Sequence, residues 1–171
     1  MNKKIRRLTK SAVIAAVYAV MTLLSGVFGL AYGGVQFRIS EMLCVLPVYS
    51  SSAVAGLTVG CIIANIFSSV NPVDTVIGSL ATLFAAILSR RCRNMTFKRI
   101  PLVSMIFPVL FNAVFVGAEI AFFSGDKAFL PVFFTNALSV GAGEAAVVFI
   151  FGTALILFIG KNDRLRKIIS D

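Results

Sequence analysis

The 171-residue chain contains no histidine and only three cysteines. Without histidine it cannot build a Ser-His-Asp or Cys-His nucleophile system or a histidine-ligated metal centre. Cys44, Cys61 and Cys92 form no CxxC pair, and two of them lie in apolar runs, so neither a disulfide framework nor a zinc site is expected. These absences argue against an enzyme that uses nucleophilic or metal chemistry.

Charged residues are scarce as well. They make up 13% of the chain, whereas 58% of it is hydrophobic and the mean hydropathy is +0.96. A soluble domain averages about 25% charged and about 45–50% apolar residues, so this chain has too little polar surface to stay in water. The composition predicts an all-α membrane protein, a helical bundle that forms one domain over residues 1–171.

The basic residues are concentrated in three clusters. Of the 16 Lys and Arg residues, 14 lie in Lys3–Lys10, Arg90–Arg99 and Lys161–Lys167. Basic clusters that flank apolar runs are typical of cytoplasmic loops, and an anionic leaflet attracts them. This placement predicts that both termini are cytoplasmic, in contact with membrane lipid, and it argues against nucleic-acid binding.

The apolar runs between these clusters predict six transmembrane helices. They are Leu8–Ala31, Val35–Ser51, Ala53–Ser68, Val73–Ser89, Pro101–Phe123 and Ala128–Gly160. The second is short and contains a proline and two charges, so we expect it to pack inside the bundle rather than against lipid. A five-helix arrangement would place the basic C-terminus outside, against the charge rule.

Strongly polar residues interrupt or border these spans, and such residues mark functional sites by default because burying them in a membrane is costly. They are Arg38, Glu41, Asn65, Asp74, Asn112, Glu119 and Glu144. Counting about 1.5 Å per helical residue from the basic clusters places all of them in the outer half of the membrane. The sequence therefore predicts a pocket that opens to the outside and is closed below by apolar packing.

Each polar residue also has a structural interpretation. In that interpretation Glu41 neutralises Arg38, Asp74 caps a helix N-terminus, and the two asparagines form hydrogen bonds between helices. Glu119 and Glu144 are the stronger ligand candidates, because only Arg38 and Lys127 supply positive charge on that side. Four carboxylates against one buried arginine favour a ligand that is cationic or presents several N–H donors, such as a guanine-like edge.

Small residues recur at the spacing of helix contacts. One row consists of Gly56, Gly60 and Ala64, and a second of Ala12, Ala15, Ala16 and Ala19. We expect the first row to pack within the bundle. The second lies near the cytoplasmic end of the first span, where it would serve either internal packing or a partner protein's helix.

No Walker A motif is present, so the chain has no P-loop for ATP. No inverted repeat is evident, and 171 residues are few for a carrier built from two repeats. These features indicate a membrane protein that binds a ligand but lacks an energy source of its own.

Three stretches resemble the QueT family, substrate-binding S components of energy-coupling factor (ECF) transporters. They are QFRISE at 36–41, GCIIAN at 60–65 and DTVIGSLAT at 74–82. The similarity also includes Asn112 with Gly117 and Glu119, and Gly143-Glu144, and it extends from about Leu8 to Gly160.

The resemblance implies six helices in a bacterial cytoplasmic membrane and an outward-facing pocket for a queuosine precursor, either queuine or its aminomethyl-deazaguanine relative (preQ1). It implies a transmembrane T protein and two ATPases as partners, which use ATP, and no cofactor in this chain. The T protein would dock on the AxxxA face of the first helix, here Ala12 to Ala16. The alternatives are an S component for another vitamin or flat heterocycle, a small membrane enzyme with paired acids, and an assembly subunit.

Overall fold

The computed structural model describes residues 2–31, 36–67, 72–98, 100–125 and 128–170. Its elements are α1 (Lys3–Val27), a 3₁₀ helix (Ile39–Val48), α2 (Ser52–Ile66), α3 (Pro72–Arg91), α4 (Leu102–Phe123), α5 (Phe129–Lys161) and α6 (Asp163–Ile169). Apart from an isolated bridge between Phe97 and Ile100, no β-structure occurs in these ranges. The prediction of an all-helical chain is confirmed.

Four of the helices, α1, α3, α4 and α5, are long and apolar enough to cross a membrane. They have 20 to 33 residues, and about 20 residues are needed to cross a hydrocarbon core of about 30 Å. The 3₁₀ helix and α2 are apolar but have 10 and 15 residues. The chain is thus a multi-pass membrane protein, while the count of six crossings stays a prediction. The predicted start of the second span at Val35 lies outside the described residues.

From α1 to α5, consecutive helical segments run in alternating directions. The 3₁₀ helix returns along α1, because Thr22 Oγ1 donates to Ser40 Oγ at 2.6 Å and the backbone N–H of Ile39 donates to Ser25 Oγ at 3.2 Å. The last helix, α6, lies beside the beginning of α1, since Lys10 Nζ in α1 donates to the backbone carbonyl oxygen of Ile169 in α6 at 3.3 Å. We call this end of the bundle, where α1 and α2 begin, the basic end. At the opposite end α1, α2 and α4 finish and α3 and α5 begin.

Two glycines allow α1 and α2 to pack closely side by side. A Cβ atom added at Gly56 would lie 2.8 Å from the carbonyl oxygen of Ser11, and one at Gly60 would lie 2.8 Å from that of Ala15. The expectation that this row packs within the bundle is confirmed. The contact also divides the alanines of α1, because Ala15 and Ala19 are buried whereas Ala12 and Ala16 are exposed.

The 3₁₀ helix lies inside the bundle, as expected, with most of its side chains buried. Pro47 near its end is incompatible with the interior of an α-helix, because its ring clashes with the carbonyl four residues earlier. Arg90 at the end of α3 donates to the carbonyl oxygens of Pro47 at 3.1 Å and Val48 at 3.2 Å. These bonds satisfy carbonyl groups that a helix end leaves without a partner.

The predicted last span forms one continuous helix, α5, that includes a π-helical turn over Val147–Gly152. This turn packs on the 3₁₀ helix, since a Cβ atom at Gly152 would lie 2.9 Å from Cγ1 of Val45. The π turn begins three residues after Glu144. It therefore fixes the part of α5 that carries one of the predicted acidic residues.

Candidate functional site

All seven polar residues predicted for the site are buried, with exposed fractions between 1% and 8%. Arg38 directly precedes the 3₁₀ helix, and Glu41 lies on it. The others lie on α2, α3, α4 and α5. Lys127, the second base predicted on this side, lies outside the described residues.

Arg38 stands at the centre of the acidic residues. Its Nη2 atom lies 3.9 Å from Oδ2 of Asp74, and its Nε–H donates to the carbonyl oxygen of Ala31 at 3.1 Å. It also interacts electrostatically with Glu41, Glu119 and Glu144. An ion pair therefore joins Arg38 to α3, an element that the short spacing between Arg38 and Glu41 in the sequence did not suggest.

Glu41 and Glu144 are neighbouring carboxyl groups, which we call the inner pair. Glu41 accepts hydrogen bonds from the Tyr18 hydroxyl and, at 2.9 Å, from the Cys44 thiol. Glu144 Oε1 accepts a hydrogen bond from Asn112 Nδ2 at 2.9 Å. The inner pair is thus largely satisfied by the protein itself, and Asn112 joins α4 to α5 as expected of an interhelical hydrogen bond.

Asp74 and Glu119 form a second pair of neighbouring carboxyl groups, the outer pair. Within the described part of the chain, Asp74 Oδ2 and Glu119 Oε2 accept no hydrogen bond. Both residues line a cavity of about 310 Å³, together with Gln36 and Phe123. Because both residues line this cavity, and leaving a buried acceptor without a donor costs about 1–3 kcal/mol, their carboxyl groups are suited to the N–H groups of a ligand.

The position of Asp74 follows from local sequence. It lies in the first turn of α3, where the partial positive charge of the helix N-terminus favours a carboxylate. Asn65 Nδ2 donates to the backbone carbonyl oxygen of Asp74 at 3.3 Å, which joins α2 to α3. Gly78 leaves room for this contact, because a Cβ atom there would lie 2.9 Å from Asn65 Nδ2.

A larger apolar cavity of about 610 Å³ adjoins the outer pair and shares Glu119 and Phe123 with the smaller one. Phenylalanines form much of its wall: Phe115, Phe122, Phe123 and Phe129. Ligand sites combine such apolar walls with a few polar groups that fix orientation. A planar heterocycle can place its donor edge at the carboxylates and its ring faces against these phenylalanines.

Tyr18 is the main residue of the polar cluster that the sequence patterns did not predict. It is fully buried on α1 and donates to Glu41. Its neighbours on the same face are Thr22 and Ser25, at positions i+4 and i+7, and both contact the start of the 3₁₀ helix. Three polar side chains at helical spacing in an apolar span were the available signal.

Replacement of Tyr18 by phenylalanine is expected to lower the free energy of unfolding by about 1.5–3 kcal/mol, because a buried carboxyl group loses a hydrogen-bond donor. Denaturant unfolding in detergent measures the change. Tyr49→Phe is the matched control, since Tyr49 is only half-buried. Equal losses in the two variants would contradict a specific role for the Tyr18 hydroxyl.

Comparisons with known proteins support a transport role for the chain. The model of the QueT transporter family matches residues 8–161. The queuosine precursor transporter QueT of Lactococcus lactis subsp. cremoris (strain MG1363) is 39% identical over 72 residues, which are 42% of this chain and 42% of that protein. The matched region thus covers less than half of the length of this relative. No solved structure matches the chain.

Proposed function

The chain belongs to the QueT transporter family, and from this premise we propose that it is the S component of an ECF importer that binds a queuosine precursor. Family membership confirms a transmembrane transport protein and a chain that is not an enzyme. The name of the Lactococcus relative supports a queuosine precursor as the substrate.

The outer pair is the observation that carries the proposal. Its two carboxyl groups belong to residues that line a cavity of about 310 Å³, which is at the lower end of the usual volumes of about 300–1,000 Å³ for small-molecule sites. A carboxylate accepts two parallel hydrogen bonds from adjacent donors and binds a protonated amine. Both preQ1 and queuine carry a guanine-like edge and an amine, so they offer both kinds of donor.

The polar residues then have two kinds of role. Asp74 and Glu119 contact the ligand, and Arg38 limits the negative charge and holds Asp74. Glu41, Glu144 and Asn112 form the base of the site, where the protein already supplies most of their hydrogen bonds. Glu119 keeps the role predicted from sequence, whereas Asp74 takes the ligand-contacting role in place of Glu144.

The energy for uptake would come from partner proteins, a transmembrane T component and two ATPases that use ATP, because this chain has no P-loop. The concentration of Lys and Arg at the basic end favours a cytoplasmic location for that end. The cavity at the outer pair would then face the outside of a bacterial cytoplasmic membrane.

Titration of the purified protein by calorimetry tests the proposal. We expect micromolar or tighter binding of preQ1 or queuine. Tighter binding of a different vitamin would favour an S component of other specificity. A folded protein that binds none of these compounds would contradict the proposed function and favour an assembly subunit.

The two exposed alanines of α1 give a test of the partner interface. Ala12→Leu and Ala16→Leu are expected to leave ligand affinity unchanged but to abolish uptake in cells that contain the T component and ATPases, because bulk on this face prevents close helix approach. Ala15→Leu should instead destabilise the protein, since Ala15 is buried against α2. Val17→Leu is the control on the exposed surface. Normal uptake by both Ala12→Leu and Ala16→Leu would remove this face from the interface.

A further inference from the structure

Gln36 is the only glutamine of the chain, and it lines the smaller cavity together with the outer pair. It is half-buried and lies in the loop between α1 and the 3₁₀ helix. The other described residues of this wall are Val116, Ile120, Phe123 and Ser124. A neutral amide thus shares a small cavity with two carboxyl groups.

The two residues that follow Gln36 are held against the end of the preceding loop. The backbone N–H of Phe37 donates to the carbonyl oxygen of Leu30 at 2.8 Å, and the Nε–H of Arg38 donates to that of the following residue at 3.1 Å. Arg38 Nη2 also lies 3.9 Å from Oδ2 of Asp74. These contacts hold the loop beside the outer pair, so Gln36 is positioned by residues directly next to it.

The polar side chains of this wall differ in what they offer to a ligand. Asp74 and Glu119, when ionised, only accept hydrogen bonds. Ser124 Oγ donates to the carbonyl oxygen of Ala121 at 2.8 Å, so its hydrogen is used within the protein. The Gln36 side chain carries two amide hydrogens. Among the wall residues that the structure describes, only Gln36 then has side-chain hydrogens for an acceptor on a ligand.

A guanine-like edge needs both kinds of partner. Its ring N–H and its exocyclic amine are neighbouring donors, whereas the carbonyl oxygen beside the ring N–H is an acceptor. A carboxylate of the outer pair accepts from the two donors. The carbonyl oxygen then still requires a donor, because a buried acceptor without one is costly.

We propose that the side-chain amide of Gln36 donates a hydrogen bond to the ring carbonyl oxygen of the ligand and is a specificity-determining residue of the site. A site that is built to form a hydrogen bond with a substrate group rejects an analogue that lacks this group. Gln36 therefore selects ligands that carry an acceptor next to the two donors. The inference rests on the proposed function, since it concerns the same ligand in the same cavity.

Calorimetric titration with preQ1 and with its thio analogue, in which sulfur replaces the ring carbonyl oxygen, tests the inference. The analogue keeps both N–H donors, but sulfur is a weak acceptor. We expect the unaltered protein to bind preQ1 about tenfold more tightly than the analogue. Gln36→Met, which removes the amide hydrogens from a side chain of similar length, should bind preQ1 about tenfold more weakly and the analogue with unchanged affinity. The preference for preQ1 is then lost.

Asn136→Leu is the control for the loss of an amide. Asn136 lies on α5, where its Nδ2 donates to the carbonyl oxygen of Val132 at 2.8 Å, and it does not line the cavity. This variant should keep the preference of about tenfold. Gln36→Leu also lacks the amide, so it gives the same comparison if Gln36→Met does not fold.

The results separate this inference from the proposed function. A Gln36→Met protein that still prefers preQ1 over the analogue by about tenfold would overturn the inference alone, since sulfur's larger size would then explain the preference. Equal binding of the two compounds by the unaltered protein would overturn it as well. A folded unaltered protein that binds neither compound would contradict the proposed function and this inference with it.

Discussion

Replacement of Glu119 by glutamine is expected to weaken preQ1 binding by about 100-fold or more. The amide keeps the shape of the side chain but removes the charge that pairs with a ligand donor. Removing one member of a buried charged pair costs about 3–5 kcal/mol, and each 1.4 kcal/mol is about tenfold in affinity. Asp74→Asn should have a loss of similar size, because both carboxylates line the same cavity. Calorimetric titration of each variant measures the change.

A second ligand shows which group of the substrate the outer pair recognises. 7-Deazaguanine has the ring edge of preQ1 but lacks its aminomethyl group. If Glu119 holds the amine, Glu119→Gln will lose affinity for preQ1 only; if it holds the ring edge, the variant will lose affinity for both. Asp163→Asn is the control for the loss of a carboxylate, because the Asp163 side chain is exposed on α6. Unchanged affinity in both Glu119→Gln and Asp74→Asn would exclude the outer pair from the binding site.

Replacement of Gly60 by leucine is expected to lower the free energy of unfolding by about 3 kcal/mol. Even a Cβ atom at this position would lie 2.8 Å from the carbonyl oxygen of Ala15 and 2.9 Å from Cβ of Tyr18. The larger side chain must push α1 away from α2, and overpacking of this kind typically costs about 1–3 kcal/mol or more. Because Tyr18 moves with α1, the hydrogen bond to Glu41 should be disturbed as well.

Gly160→Leu provides the matched control for this substitution. Gly160 lies near the end of α5, and a Cβ atom there would meet no atom within 4 Å. Leucine has a higher helix propensity than glycine by about 0.5–1 kcal/mol, so this variant should be as stable as the original protein or slightly more stable. Denaturant unfolding in detergent compares the two. A Gly60→Leu protein as stable as Gly160→Leu would contradict the close packing of α1 on α2.

The helices could be predicted from composition because each apolar run is long and ends at polar residues. The predicted span Pro101–Phe123 differs from α4, Leu102–Phe123, by a single residue. The 3₁₀ helix could not be predicted in the same way, because it depends on contacts from distant parts of the chain. Arg90, at the end of α3, donates hydrogen bonds to the final carbonyl groups of the 3₁₀ helix, and no local sequence pattern predicts that contact.

The site residues could be predicted because burying a polar group in a membrane is costly whatever its partner. Which of these residues contact each other could not be predicted, since that depends on how five elements pack in three dimensions. Arg38 lies three positions from Glu41 in sequence, yet it also forms an ion pair with Asp74 on α3. No sequence pattern indicates that Glu144 neighbours Glu41, or that Asp74 neighbours Glu119 at the cavity.

The short 3₁₀ helix has a consequence for how the protein is made. Its ten residues extend only about 20 Å at about 2.0 Å per residue, and the charges of Arg38 and Glu41 oppose insertion into lipid. Tyr18, a donor to Glu41, is synthesised before this segment, but Arg90 and Asp74 are synthesised after it. During biosynthesis the segment should therefore remain at the membrane surface until α3 has been synthesised, so that its entry into the bilayer is a late step of assembly.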